Sequence, residues 1–277
     1  MKNLKVFIIS QEEPFYIPKV IRYLVEHQND HFEIVGATRL QPHRKNKTMK
    51  DWLLERTKIY TYWELMITTC FFMYAKVWYR FIAKTGRLNP YSVKSIYQKY
   101  GVKEVVTQDL NSPHYLKELQ QLDIDVILSI SPPQLFQKEL LNLPKKACLN
   151  AHGTLLPRHR GVFGSWWMLY ENDKEIGTTI HTMVEKLDAG EVVWQQAIPM
   201  PSDATQYAIA YHTKKIMAEG LVQTLNNYAL GEVITIQSPY QESYHRAPSK
   251  EQGIDFHQKG LRVLTLKNRK LALAKSF

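Results

Sequence analysis

The feature that most constrains this chain is a rhythm of unbroken apolar runs alternating with helix-like segments. Lys5-Val-Phe-Ile-Ile-Ser10 is followed by helical periodicity over 17–26 and then by Phe32-Glu-Ile-Val-Gly-Ala-Thr38. After a detour the rhythm resumes with a strand over 102–106, a helix over 113–121, a strand over 125–130, a short helix over 134–141 and a strand over 147–150. Strands that are apolar at successive positions are buried on both faces, as in parallel sheets covered by helices. The expected fold is therefore α/β, with a Rossmann-like, mostly parallel sheet. Two further strands are expected over 178–183 and 191–198, joined by Glu185-Lys-Leu-Asp-Ala-Gly190 and followed by one long helix over 204–228.

A dinucleotide site is excluded at the first turn. Close approach to a pyrophosphate needs glycines there, and the chain offers Gln11-Glu12-Glu13-Pro14. Residues 42–100 do not fit the β/α rhythm, and ten aromatics fall between Trp52 and Phe81. Between Leu65 and Trp78 the apolar side chains occupy every helical face, so this stretch must find cover against the core, a second subunit or a lipid surface. Its longest weakly charged run, Leu65 to Ala75, is too short to span a bilayer.

The formal charge of +10 favours anionic partners. Its distribution qualifies that: ten Lys and Arg face three acids between Arg44 and Arg87, and six face none from Phe256 to Phe277. The rest of the chain is mildly acidic, so the fold as a whole is not expected to present a basic surface for nucleic acid. Two cysteines, Cys70 and Cys148, without any partner motif argue against a disulfide framework or a Cys-based zinc site and point to a reducing, cytoplasmic setting.

Chemistry concentrates between Asn150 and Gly190. Asn150 and His152 lie two apart at the carboxyl end of a strand, where open α/β sheets place their ligands, and so point to one face. An Asp brought close, such as Asp188, would favour the imidazolium or hold one tautomer. A histidine after a buried strand can equally be a satisfied polar cap. The surrounding words decide the matter: Asn150-Ala-His-Gly-Thr-Leu-Leu-Pro-Arg-His-Arg-Gly161, Trp166-Trp-Met-Leu169, Gly177-Thr-Thr-Ile-His181 and Leu187-Asp-Ala-Gly-Glu-Val192 resemble, in order, the formyltransferases that use N10-formyltetrahydrofolate.

The resemblance implies a formyltransferase core over 1–230, interrupted by a helical insertion over 42–100, and a short C-terminal extension over 231–277. It implies Asn150, His152 and Asp188 as the catalytic set, no metal, and direct attack of an amine on the formyl carbon. Asn150 and an imidazolium His152 would meet the oxyanion. The folate would dock on Ser131, Pro133, Gln134 and Leu135 on one side and on Leu187 and Asp188 on the other. The acceptor would meet Arg160, Gly161 and Trp167. Glu12 and Glu13 replace the glycine-rich phosphate loop of the purine-pathway relatives; they would receive an ammonium group or stand as solvated loop acids.

The acceptor expected from the resemblance is a nucleotide-linked amino sugar of surface glycan assembly. The other readings are a methionyl-tRNA enzyme, which would add a C-terminal domain to a core helix that here leaves only 47 residues beyond Leu230, another small amine, and a non-catalytic basic protein. A homodimer, or peripheral contact with the inner face of the membrane, would account for residues 42–100.

Overall fold

The computed structural model describes residues 3–41, 54, 56–83, 89–272 and 274–277. Six strands form the main sheet: β1 (Leu4–Gln11), β2 (Phe32–Leu40), β3 (Val126–Ile130), β4 (Ala147–His152), β6 (Glu175–Thr182) and β7 (Val192–Pro199), in the order β2-β1-β3-β4-β6-β7. The first four run parallel, and β6 and β7 run antiparallel. Successive residues enter opposite cores, which is why these strands read as unbroken apolar runs. Val6, Ile8 and Leu128 pack against α1 (Ile17–Glu26), α3 (Val93–Tyr100) and α7 (Gln206–Leu230). Phe7, Ile9 and Ile127 pack on the other face, against α4 (Pro113–Gln120) and α5 (Lys138–Leu141).

Local signals account for the helix ends. The side chain of Thr205 accepts from Ala208 N at the start of α7, and Gly231, at φ 76°, ends it in the left-handed region that glycine enters at least cost. The expected strand over 102–106 is reduced to a single bridge, Ala37 to Glu104, at the sheet edge. The segment 93–100, expected inside the insertion, belongs to the α/β core, because Val93, Ile96 and Tyr97 are buried against it.

The main element in the rest of the insertion is α2 (Tyr62–Ala83), while 42–53, 55 and 84–88 lie outside the described residues. Ile67, Phe71 and Ala75, four residues apart, form the stripe of α2 that the chain covers. Trp63, Met66, Met73 and Val77 stand exposed. Glu64, buried, holds the helix start through Thr61 N at 2.9 Å and reaches Val263 N at 2.8 Å. No helix among the described residues is long and apolar enough to cross a membrane.

Beyond α7, a two-residue strand β8 (Tyr244–His245) pairs in parallel with β5 (Arg160–Gly161). Helix α8 (Lys250–Gln258) stacks Phe256 on Trp166 of α6 (Gly164–Tyr170), with centroids 4.9 Å apart. Residues past 230 thus contribute to the core beneath the 150–170 segment.

Candidate active site

The site starts from register. Ser129 of β3, Asn150 of β4 and His181 of β6 occupy one rung of the sheet near its carboxyl edge. Ser129 Oγ donates to Asn150 Oδ1 at 2.9 Å, and Asn150 Nδ2 donates to His181 Nε2 at 3.1 Å. His181 Nδ1 in turn donates to the carbonyl of Thr182 at 2.7 Å, which assigns the tautomer. Burial holds the His181 imidazole well below its usual pKa, with His152 pushing the same way, so it accepts as a neutral ring. The chain of donors fixes the Asn150 amide and leaves its second N–H for a substrate oxygen.

His152 ends β4 two residues on and faces the same way. Its Nε2 donates to the carbonyl of His159 at 3.3 Å, and its Nδ1 stands 3.8 Å from Asp188 Oδ1. Burial lowers the His152 pKa; Asp188 opposes this most strongly, while Lys214 and His159 add to the depression. Burial thus favours the neutral ring over the expected imidazolium, and Asp188 stands where it can stabilise the protonated form.

Asp188 sits at φ 50°, a left-handed conformation that Asp and Asn tolerate better than most residues. Its Oδ2 accepts from Gly161 N at 3.0 Å, and its Oδ1 is 3.8 Å from His181 Nε2 as well as from His152. The three expected catalytic residues thus meet at one edge of the sheet. Gly161, at φ 100°, has no room for a side chain, since a Cβ would lie 2.2 Å from the carbonyl oxygen of His245. Arg160 donates to Leu187 O at 2.7 Å and pairs with Glu242, so it clamps the loop that carries Asp188.

Among the residues expected to meet folate, Ser131 follows β3 at φ 53° and accepts from Lys214 Nζ at 3.2 Å. Gln134 is taken up by Leu110 N at 3.0 Å and Gln108 O at 2.7 Å, which anchors the turn through Pro133. Leu135 and Leu187 are exposed apolar side chains on the two loops.

Two expectations for the acceptor side are corrected. Glu13 receives the backbone N–H groups of Phe15, Tyr16 and Ile17 at the start of α1, while Glu12 receives Val93 N at 3.0 Å and Lys94 N at 3.2 Å at the start of α3 and pairs with Arg39 at 3.4 Å. Carboxylates at helix N-termini complement unsatisfied donors, so these half-buried acids are already engaged by backbone N–H groups rather than standing as free loop acids. Trp167 is buried against His245, with centroids 4.3 Å apart, and donates to Arg246 O at 3.0 Å, so it is a core residue rather than a substrate contact.

Ser129, His181 and Lys214 were missed as site residues. Ser129 left a trace, a polar residue inside an apolar strand. Lys214 left none, because its place beside the site depends on how α7 crosses the sheet. Burial lowers its pKa to about 8, with Glu13 pulling the other way.

Comparison with known proteins places the chain. A family model described as formyl transferase matches residues 85–225. A methionyl-tRNA formyltransferase of Listeria innocua is 31% identical over 166 residues, 60% of this chain and 53% of that protein. The chain spans about half the length of the curated relatives it matches. Among solved structures, a phosphoribosylglycinamide formyltransferase from Anaplasma phagocytophilum aligns at TM-score 0.59 and 16% identity, covering 88% of this chain and 100% of that one. An N-formyltransferase from Helicobacter canadensis, solved with folinic acid and dTDP-3-aminofucose, aligns at TM-score 0.54 and 14% identity, covering 87% and 70%. At such identities these structures speak to the fold.

Proposed function

The chain belongs to the formyl transferase family, and on that premise we propose that it transfers a formyl group from N10-formyltetrahydrofolate to the amine of a small acceptor, a nucleotide-linked amino sugar. The observation that carries the reaction is the convergence of Asn150, His152 and Asp188 on one side of the sheet edge. The amine attacks the formyl carbon, and the carbonyl oxygen becomes an oxyanion that the remaining Asn150 N–H meets. His152 Nδ1 takes the proton shed by the amine, and Asp188 stabilises the imidazolium so formed. Collapse of the intermediate expels N10 of the folate, which takes up a proton, and leaves the formamide on the acceptor. The folate lies, in this reading, between the 131–135 turn and the loop bearing Leu187 and Asp188.

The acceptor class rests on charge. Outside residues 44–87 and 256–277 the chain carries a small net negative charge, whereas a tRNA needs many cations to neutralise its phosphates. Beside Ser131 stands the half-buried cation Lys214, suited to one anionic group of a small acceptor. Formylated amino sugars serve surface glycans, and the exposed face of α2 would seat the enzyme on a second copy or beside the membrane. A second reading, methionyl-tRNA, is favoured by the relative from Listeria innocua. The test is formation of tetrahydrofolate from N10-formyltetrahydrofolate with dTDP-linked amino sugars and, separately, with methionyl-tRNA. Turnover on the tRNA alone would overturn the sugar reading, and turnover on no amine would overturn both.

A further inference from the structure

A second cluster lies behind the catalytic loop and takes no part in the chemistry above. His159 is fully buried, and its Nε2 donates to Asp173 Oδ2 at 2.8 Å, which leaves a lone pair on Nδ1. That nitrogen is shielded from solvent and has no hydrogen-bond partner among the described residues. Opposite stands His245, its ring centroid 5.0 Å from that of His159 and its orientation set by the stack on Trp167. Its Nε2 is also buried and without a hydrogen-bond partner. Glu171, just past the end of α6, brings Oε2 to 3.8 Å from His159 Nδ1 and Oε1 to 3.4 Å from His245 Nε2.

Buried polar atoms are seldom left without partners, and here two nitrogens and a carboxylate turn toward one point, with all three donor atoms within 4.8 Å of one another. A cation is the partner that satisfies the three together. Bond lengths near 2.0–2.1 Å put the ligand atoms of a tetrahedral zinc ion about 3.3 Å apart. The half-exposed Glu171 side chain can turn inward to reach that spacing. Asp173 stands where an outer carboxylate holds a metal-binding imidazole in its tautomer. Glu171 also sits at a helix C-terminus, where a cation is the electrostatic complement.

We propose that His159, Glu171 and His245 form a binding site for a divalent transition metal, zinc by its donor chemistry, that braces the catalytic loop. The His159 carbonyl holds His152, and the Gly161 N–H holds Asp188. The strand pair Arg160–Gly161 with Tyr244–His245 joins the two halves of the cluster. A metal bridging His159 to His245 would lock that pair, and with it the spacing of the catalytic residues, without touching substrate.

The test uses the tag-free full chain, freed of metal by chelation and titrated with Zn2+ by calorimetry, with Co2+ as a visible-absorption probe of tetrahedral coordination. One equivalent should bind and raise the melting temperature. Glu171→Gln, on the surface side and outside the catalytic set, should weaken binding at least about tenfold while its circular dichroism stays that of the parent, and His245→Gln should abolish stoichiometric binding. Absence of stoichiometric Zn2+ binding by the parent chain would overturn the site. So would a folded Glu171→Gln variant that binds as tightly as the parent, which keeps the proposal testable if His245→Gln fails to fold.

Discussion

Asp188→Asn isolates charge from shape. Asn tolerates φ 50°, and its side-chain oxygen can still accept from Gly161 N, so the loop should keep its course. What disappears is a negative charge 3.8 Å from His152 Nδ1, in a setting where the Asp188 side chain is 5% exposed and that of His152 15%. At that distance and an effective dielectric near 20 a pair of unit charges is worth about 4 kcal/mol; spreading each charge over two atoms leaves about 3. About 3 kcal/mol corresponds to roughly two pK units and to about 100-fold in rate when the imidazolium forms in the transition state. The assay is single-turnover formation of tetrahydrofolate between pH 5 and 9, with circular dichroism as a control. Burial already depresses His152, so removing Asp188 depresses it further; the acid limb should move to lower pH while the plateau falls by about 100-fold. A variant within about twofold of the parent rate, or an acid limb that stays in place, would refute the role given to the pair.

Three further outcomes are expected. Gly161→Ala should cost at least about 1–3 kcal/mol in chemical denaturation and most of the activity, because its Cβ would strike the His245 carbonyl at 2.2 Å; parent-like stability would contradict the strand pairing. His152, His181, His212 and His245 are all depressed below 6.5, so the unfolded chain binds more protons than the folded one as pH falls through and below that value. The stability these histidines contribute should be full above about pH 6.5 and drop progressively below it, so a melting temperature that is flat or rises from pH 7.5 to pH 5 would contradict this. The exposed face of α2 should be covered in solution: sedimentation should show a dimer, or the protein should bind anionic vesicles and leave them as salt rises. A monomer indifferent to such vesicles would show that water tolerates this face.

The sheet was legible because a parallel strand buried on both faces has to be apolar at every position, as Phe7-Ile-Ile9 is. That Asn150, His152 and Asp188 would come together was legible as well, since they stand in distinctive words. Their electrostatics were not: the lowered pKa of His152 depends on burial supplied by segments far away in sequence. Glu12 and Glu13 were misread for a similar reason, because Glu12 caps a helix that begins 81 residues later. The run 102–106 has strand-like residues but finds a partner only at one bridge, beyond a strand already at the sheet edge. In α2 the all-round apolar pattern concealed which stripe the fold would cover.

The pairing of Arg160–Gly161 with Tyr244–His245 also makes the geometry of the candidate site depend on residues far along the chain. The two segments are more than 80 residues apart, and the loop they stabilise presents the His159 carbonyl to His152 and the Gly161 amide to Asp188. The six strands of the main sheet all lie before residue 200, so the sheet and the loop draw on different parts of the chain. A change near Tyr244 can therefore disturb the spacing of His152 and Asp188 while leaving every pairing of the main sheet untouched.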